Sequence, residues 1–445
     1  MTINIIGAGL AGCECAYQIA SRGIKVNLFD MKPHKKTPAH TSDNLCELVC
    51  SNSLKASRVE SAAGMLKEEM RMLNSLLMQC ADICKVPAGG ALAVDRDLFS
   101  KEVTKRIKEH KNINLIEEEV PEIINDGITV IASGPLTSEK LAKNIEKLCG
   151  GALNFFDAAA PIVLAESIDF DSAFYASRYG KGDGEDYINC PLNKEEYELF
   201  RDELINAQRT PLHNVDVANP KVYEGCMPIE IMAQRGKDTI RFGPMKPVGL
   251  TNPKTGHRPW AVVQLRKENR ESTLYNLVGF QTNLKFGEQK RVFSLIPALK
   301  NAEFARYGVM HRNTFINSPK LLNADYSFRE NQNLYFAGQI TGVEGYMESA
   351  SSGLITGINV ARKVLGEKTL YFPTECMCGV LSNYISDSTV KNFQPMGANL
   401  GVLPSLDEVI RDKKIKASVY ANRSIEKLKQ FIDDNNINAK DSEEI

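Results

Sequence analysis

The chain contains no apolar run of about eighteen residues, so it offers no membrane-spanning helix. It lacks a strong charge of either sign: the formal net charge is −1, which gives the whole chain no long-range field for a polyanion. Its six histidines form no spaced cluster. There is no GxSxG elbow, no Walker loop and no HExxH, which removes serine-hydrolase, P-loop and zincin chemistry. The close cysteine pairs Cys13/Cys15, Cys46/Cys50, Cys80/Cys84 and Cys376/Cys378 do not make a CxxC…CxxC zinc pattern, and no metal is expected. Eleven cysteines is an odd number, which suits free thiols in a reducing compartment. No repeat or low-complexity tract interrupts the chain. A glycine-rich strand unit begins at the first residues, leaving no room for a signal peptide, so a cytoplasmic protein is expected.

That opening unit is the most informative stretch present. Ile3-Asn4-Ile5-Ile6 runs into Gly7-Ala8-Gly9-Leu10-Ala11-Gly12, a helix-like segment Cys13 to Ser21 follows, and Ile24 to Phe29 ends at Asp30. Strand, glycine turn, helix, strand and acid is the order of a dinucleotide site. Gly7 permits the turn, Gly9 admits a pyrophosphate, and Gly12 lets helix and strand pack closely. Unpaired N–H groups at the helix start face the phosphates, and Asp30 is placed to accept from ribose hydroxyls. The competing reading is a chance glycine turn.

A length of 445 residues predicts two or three domains. Ala62 to Cys84 has the spacing of one amphipathic helix, and Ile128 to Ile131 reads as a strand entering Ala132-Ser133-Gly134-Pro135. Leu45 to Leu54 puts Cys46 and Cys50 on one face if it is helical. The Gly- and Asp-rich stretch after Tyr179 predicts a boundary. From Pro211 the pattern becomes short strands and turns, including EGCMPIEIMAQRG and TIRFGPMKPVG. Leu334 to Ala337, then Gly338 to Gly342, then a helix, suggest chain returning to the first domain. The fold class expected is α/β: a Rossmann-like dinucleotide domain over 1–185 and 325–366, an inserted α+β domain over 186–324, and a polar C-terminal extension over 367–445 with one clear helix, Ser424 to Asn435. The inserted segment holds roughly 20 Lys and Arg against about 14 Asp and Glu. That surplus fits a nucleic-acid face or an unevenly charged solvated surface.

Two cysteines have settings unlike the rest. Cys50 precedes Ser51-Asn52-Ser53, which could cap a helix, and Cys226 lies in a turn between Gly225 and Met227-Pro228. A thiolate is a working nucleophile, and helix N-termini or cations lower its pKa; the alternative is a small buried hydrophobe. The run Tyr275 to Phe293 mixes aromatics with Lys and Arg. It reads either as a base-stacking surface or as strands with buried rings.

GAGLAG at Gly7, ELVCSNSL at Glu47, PAGGALAVDR at Pro87, EGCMPIE at Glu224, RFGPMKPVGL at Arg241, NLVGFQTNLKFGEQKRVF at Asn276, RYGVMHRNTFI at Arg306 and AGQITGVEGYMESA at Ala337 occur in order. Together they resemble the folate- and FAD-dependent tRNA (uracil-5-)-methyltransferases over nearly the whole chain. The resemblance implies a glutathione-reductase-like fold with FAD at Gly7, Ala8, Gly9, Leu10, Ala11, Gly12 and Asp30. It places the turn holding Gly338, Gly342 and Glu344 near the isoalloxazine. It implies NAD(P)H as reductant, 5,10-methylenetetrahydrofolate as carbon donor and the T-loop uridine in the T-arm of tRNA as target. The working cysteines fall on Cys226 and Cys50 and the pterin-stacking histidine on His311, with no stable protein partner. Cys13 and Cys15 depart from what phosphate binding needs and read as packing. A paralogue acting on ribosomal RNA, a small-molecule flavin oxidoreductase, a wobble-uridine enzyme and a silent binding protein are the other readings.

Overall fold

The computed structural model describes residues 2–37, 39–151, 153–180, 184–211, 227–391 and 393–438, except for the side chains of 153–157 and 311–312. Two sheets, each with its own core, carry the architecture.

The first sheet runs Ser327–Phe328, Asn331–Phe336, Ile128–Ile131, Ile3–Ile6, Val26–Phe29, Ile113–Ile116. Of its five pairings four are parallel, and the edge pair Ser327–Phe328 with Asn331–Phe336 is antiparallel. Ile3–Ile6 and Ile128–Ile131 are buried on both faces, as central strands covered by helices must be. The helix Leu10–Ser21 crosses from Ile3–Ile6 to Val26–Phe29. It packs on the long helix Tyr346–Val364, where a Cβ on Gly353 would stand 2.1 Å from the Ala11 carbonyl oxygen. Glycine there lets the two backbones touch. The return to the first domain expected after Leu334 is thus present, since Asn331–Phe336 joins the parallel sheet beside Ile128–Ile131.

The second sheet is antiparallel, in the order Phe174–Tyr175, Tyr187–Leu192, Ala261–Lys267, Leu274–Leu277, Ile162–Leu164, Phe304–Arg306. Helices Lys194–Asn206 and Phe286–Phe293 cover it through Phe200 and Phe293, whose rings meet that of Phe280 from the turn after Leu274–Leu277. Its core starts at Ala160, not at 186. The Gly-rich stretch read as a boundary therefore joins two strands of one sheet, and Ile162–Leu164 lies on the far side of it. The strand pair Leu153–Ala158 and Met310–Phe315 marks where the chain passes between the two sheets.

Other local readings change. Ala62 to Cys84 forms two helices, Ala62–Met72 and Leu76–Ile83. Asn74 takes φ 56 and breaks the run, and buried Glu14 accepts the Leu76 and Leu77 N–H groups that the break exposes. Leu45 to Ser51 is irregular, so Cys46 and Cys50 share no helical face; Ser51-Asn52 leads into the strand Ser53–Ala56 and caps no helix. Residues 229–242 form the helices Ile229–Gln234 and Thr239–Phe242 where strands were expected.

The C-terminal extension is no polar tail. Helix Met377–Ser386 is buried, and Lys413–Asp434, eleven residues longer at its start than the helix expected from Ser424, buries Tyr420, Leu428 and Ile432 in the first core. Glu69, on the helix Ala62–Met72, ties both down. Its carboxylate accepts from the N–H groups of Met377 (2.7 Å) and Cys378 (2.8 Å) and from Ser424 Oγ (2.5 Å). Burial pushes its pKa up, and these donors oppose that rise. Glu69→Ala strands three buried donors, each worth about 1 kcal/mol or more. The expected result is a loss of about 2–4 kcal/mol in the urea unfolding midpoint analysis, with proteolysis starting beyond residue 366. An unchanged midpoint would show that the extension is held otherwise.

Candidate functional site

The first sheet ends in a cleft. It is lined by Gly7 to Ala11, Asp30, Cys46, Val49, the loop Ala132 to Ser138, Gly338, Gln339, Tyr346 and Ser349, and it holds about 1120 Å³ of non-atom space, including the part open to solvent. Its floor follows from the sequence. The strand Ile3–Ile6 turns at Gly7 with φ +104; a Cβ there would lie 2.6 Å from Ser133 Cα. The helix Leu10–Ser21 then starts at Gly9, which offers no side-chain cap, so its first N–H groups are left for a ligand. A Cβ on Gly9 would meet nothing within 4 Å. A second uncapped N-terminus, that of Tyr346–Val364 after Gly345, enters the same cleft through Tyr346 and Ser349. Asp30 sits on the wall at the end of Val26–Phe29, its carboxylate fixed by the N–H groups of Ala8 (2.9 Å) and Lys32 (2.9 Å). Two helix N-termini for phosphate and polar ring atoms, a close-approach glycine and one oriented acid fit a dinucleotide such as FAD.

The residues expected to hold the cofactor divide in two. Gly7, Ala8, Gly9, Leu10, Ala11, Asp30 and Gly338 line the cleft. Gly12, Gly342 and Glu344 lie behind its wall. Gly12 is where helix meets turn. Gly342 packs under Phe393, whose ring would be 2.4 Å from a Cβ. Glu344 accepts from Gln339 Nε2 at 2.6 Å, and its N–H donates to the Met396 carbonyl. Loop residues after 390 thus buttress the Gly338 turn, a contact no local spacing could foretell.

Cys50 follows Val49, which lines the cleft; it is half-buried, its thiol 3.7 Å from the Ala158 carbonyl oxygen. Its segment is held from both sheets. The Tyr346 hydroxyl accepts from the N–H groups of Cys50 (2.8 Å) and Ser51 (3.2 Å). Burial pushes the pKa of that hydroxyl upward, keeping it protonated. From the second sheet, Arg266 donates to Asn52 Oδ1 (2.9 Å) and Ser51 Oγ (2.7 Å). Buried Arg96 pairs with Glu268 at 2.9 Å and donates to the Leu48 carbonyl. Arg306 donates to the Val49 carbonyl at 3.0 Å. Tyr346, Arg96, Arg266 and Arg306 were missed as site residues, although PAGGALAVDR, RYGVMHRNTFI and VEGYMESA contain three of them. Nothing in their spacing points to Cys50, because their meeting depends on the fold. His40 also lines the cleft, with Nδ1 2.7 Å from Thr37 Oγ1 and its pKa lowered by burial.

Cys226 lies outside the described residues. His311 falls on the strand Met310–Phe315, opposite Asp157; its side chain is outside what is described. Cys13 and Cys15 are fully buried, as packing predicts. Among the described residues no group of His, Cys, Asp and Glu could hold a metal ion, and no helix is long and apolar enough to cross a membrane.

Comparison with known proteins gives the same fold and narrows it. A family model described as glucose inhibited division protein A matches residues 2–368. A relative from Acetivibrio thermocellus, named methylenetetrahydrofolate–tRNA-(uracil-5-)-methyltransferase TrmFO, is 60% identical over 431 residues, covering 97% of this chain and 98% of that protein. A relative of the same name from Staphylococcus aureus is 55% identical over 432 residues, with 97% and 98% covered. The solved structure of GidA from Aquifex aeolicus is 16% identical, with a TM-score of 0.69, covering 96% of this chain and 73% of that one, and shares the fold. With near-complete coverage at such identity, and the glycine cleft built as its sequence requires, the chain belongs to the glucose inhibited division protein A family and, within it, to the TrmFO family.

Proposed function

We propose that this protein methylates C5 of a uridine in tRNA, the T-loop uridine of the T-arm, with 5,10-methylenetetrahydrofolate as carbon donor and NAD(P)H as the source of electrons. The observation that carries the reading is the anchored Cys50 segment, next to Val49 on the wall of a dinucleotide cleft, held by Tyr346 and Arg96 from two helices of the first core and by Arg266 from the second sheet. The names of the relatives support the substrate and the donor.

The chemistry needs this combination. Uracil C5 is a poor nucleophile; a thiolate adding at C6 generates an enolate with charge at C5. We assign that addition to Cys226. The carbon arrives at the methylene oxidation level, so a methyl product needs two further electrons, which a bound flavin would supply after NAD(P)H has reduced it. The helix N-termini at Leu10 and Tyr346, with Asp30, would hold and orient it. A base must take the C5 proton before Cys226 is eliminated, and we assign Cys50 to that role or to close support of the flavin. Since the target base is held in a folded loop, it has to be drawn out into the cleft.

The test is to map modified nucleosides in RNA from a strain lacking the gene. Loss of 5-methyluridine from the T-loop, with ribosomal RNA unchanged, is expected. Retention of that nucleoside, or its loss from ribosomal RNA alone, would overturn the reading.

A further inference from the structure

The run Tyr275 to Phe293 resolves into two kinds of aromatic residue. Tyr275, Phe280 and Phe293 are buried in the second core, but Phe286 is 54% exposed. It ends a ladder of three nearly parallel rings. Phe286 stacks on Tyr307 with centroids 4.9 Å apart at 14°, and Tyr307 on Phe304 at 5.2 Å and 12°. The ladder is rigid. Buried Gln289, one turn after Phe286, donates from Nε2 to the Gly308 carbonyl and accepts the Gly308 N–H at Oε1, both at 2.8 Å. That amide clamps the Tyr307 loop to the helix that bears Phe286.

The ladder also adjoins the reactive segment. Arg306, next to Tyr307, donates to the carbonyl of Val49, which precedes Cys50. Val309, two residues on, accepts from the Ala159 N–H, and the carbonyl of Ala158 is the one that Cys50 Sγ meets. Phe286 itself does not line the cofactor cleft. Exposed lysines flank it: Lys285 precedes it, and Lys290 lies four positions on, on the same helical face. An open aromatic face with cations beside it, preorganised and linked to the Cys50 segment through Arg306, suits a flat ring carrying phosphate on its backbone.

We propose that Phe286 is a base-stacking platform, taking an unpaired nucleobase of the RNA substrate next to the uridine drawn toward Cys50. This rests on the RNA-modifying function proposed above. Stacking on one aromatic ring changes affinity by roughly tenfold or more.

The test uses the flavin-loaded protein. Phe286→Ala should keep its flavin and weaken tRNA binding by about tenfold, raising KM for tRNA by a similar factor. The chain has a single tryptophan, so Phe286→Trp adds one reporter at the platform. Its added fluorescence should be quenched by tRNA at the concentration where filter binding saturates, and not by tetrahydrofolate. Wild-type affinity in Phe286→Ala, no quenching at saturating tRNA, or equal quenching by tetrahydrofolate would each overturn the platform while leaving the function intact. Failure of the wild-type protein to bind tRNA at all would overturn the function, and the platform with it.

Discussion

Gly12→Val will give a protein that does not retain flavin. A Cβ at this position stands 1.8 Å from the Gly7 carbonyl oxygen and 2.9 Å from its carbonyl carbon, far inside contact distance. The obstacle is backbone, and it has little room to move, because Gly7 lies so close to the next strand's turn that a Cβ on it would stand 2.6 Å from Ser133 Cα and 2.7 Å from the Ala132 carbonyl oxygen. The helix Leu10–Ser21 must therefore lift from the strand, taking its uncapped N–H groups away from the cleft. On its other side it is already in backbone contact with Gly353. Overpacking of this kind costs about 3 kcal/mol or more. We expect at least a hundredfold weaker flavin binding, read as loss of the yellow colour on desalting, together with a lower unfolding temperature. Gly9→Ala is the control. Nothing lies within 4 Å of its added carbon, so the fold should persist while cofactor affinity falls. A yellow, normally stable Gly12→Val protein would contradict the glycine cradle.

Cys50→Ala will keep its flavin and lose methyl transfer. The contacts that position this segment run through the Cys50 and Ser51 N–H groups, the Ser51 and Asn52 side chains and the carbonyls of Leu48 and Val49. The sulfur takes part in none of them; it lies 3.7 Å from the Ala158 carbonyl oxygen. Removing it leaves the network standing, so stability should change by about 1 kcal/mol or less. Loss of a positioned proton acceptor slows a reaction by roughly a thousandfold. The prediction is a fall of that size in kcat with flavin content unchanged. Turnover within a few-fold of wild type would remove Cys50 from the chemistry. Tyr346→Phe makes the contrast, since it takes an acceptor from two N–H groups and should loosen the segment before it touches any proton.

What the sequence disclosed follows the range of the interactions. Strand, Gly7 turn, helix and Asp30 are consecutive, so a thirty-residue pattern specifies them, and the Gly338 turn is specified in the same way. Cys50 stood out only through its neighbours and through family resemblance. The groups that hold it, Arg96, Arg266, Arg306 and Tyr346, are brought together across both sheets, and no periodicity encodes such a meeting. Gly342 and Glu344 were implied near the cofactor by the family resemblance; what the sequence did not disclose is that Phe393 packs against Gly342 and that the Glu344 N–H donates to the Met396 carbonyl. The extension itself looked polar because its apolar residues are spread over two helices that pack on the first core, with Glu69 as their anchor. Asn74 in the left-handed region broke a helix whose apolar stripe runs on without interruption. The inserted segment began early for a related reason: Ile162–Leu164 pairs with strands more than a hundred residues later.

The most direct test of the whole account follows the carbon. Purified protein is given unmodified tRNA, NADPH or NADH, and tetrahydrofolate carrying a labelled methylene group. Label should appear on C5 of the T-loop uridine, depend on both the reductant and the folate, and be absent with Cys50→Ala. Unlabelled tRNA under these conditions, or methylation that proceeds with S-adenosylmethionine alone, would contradict it.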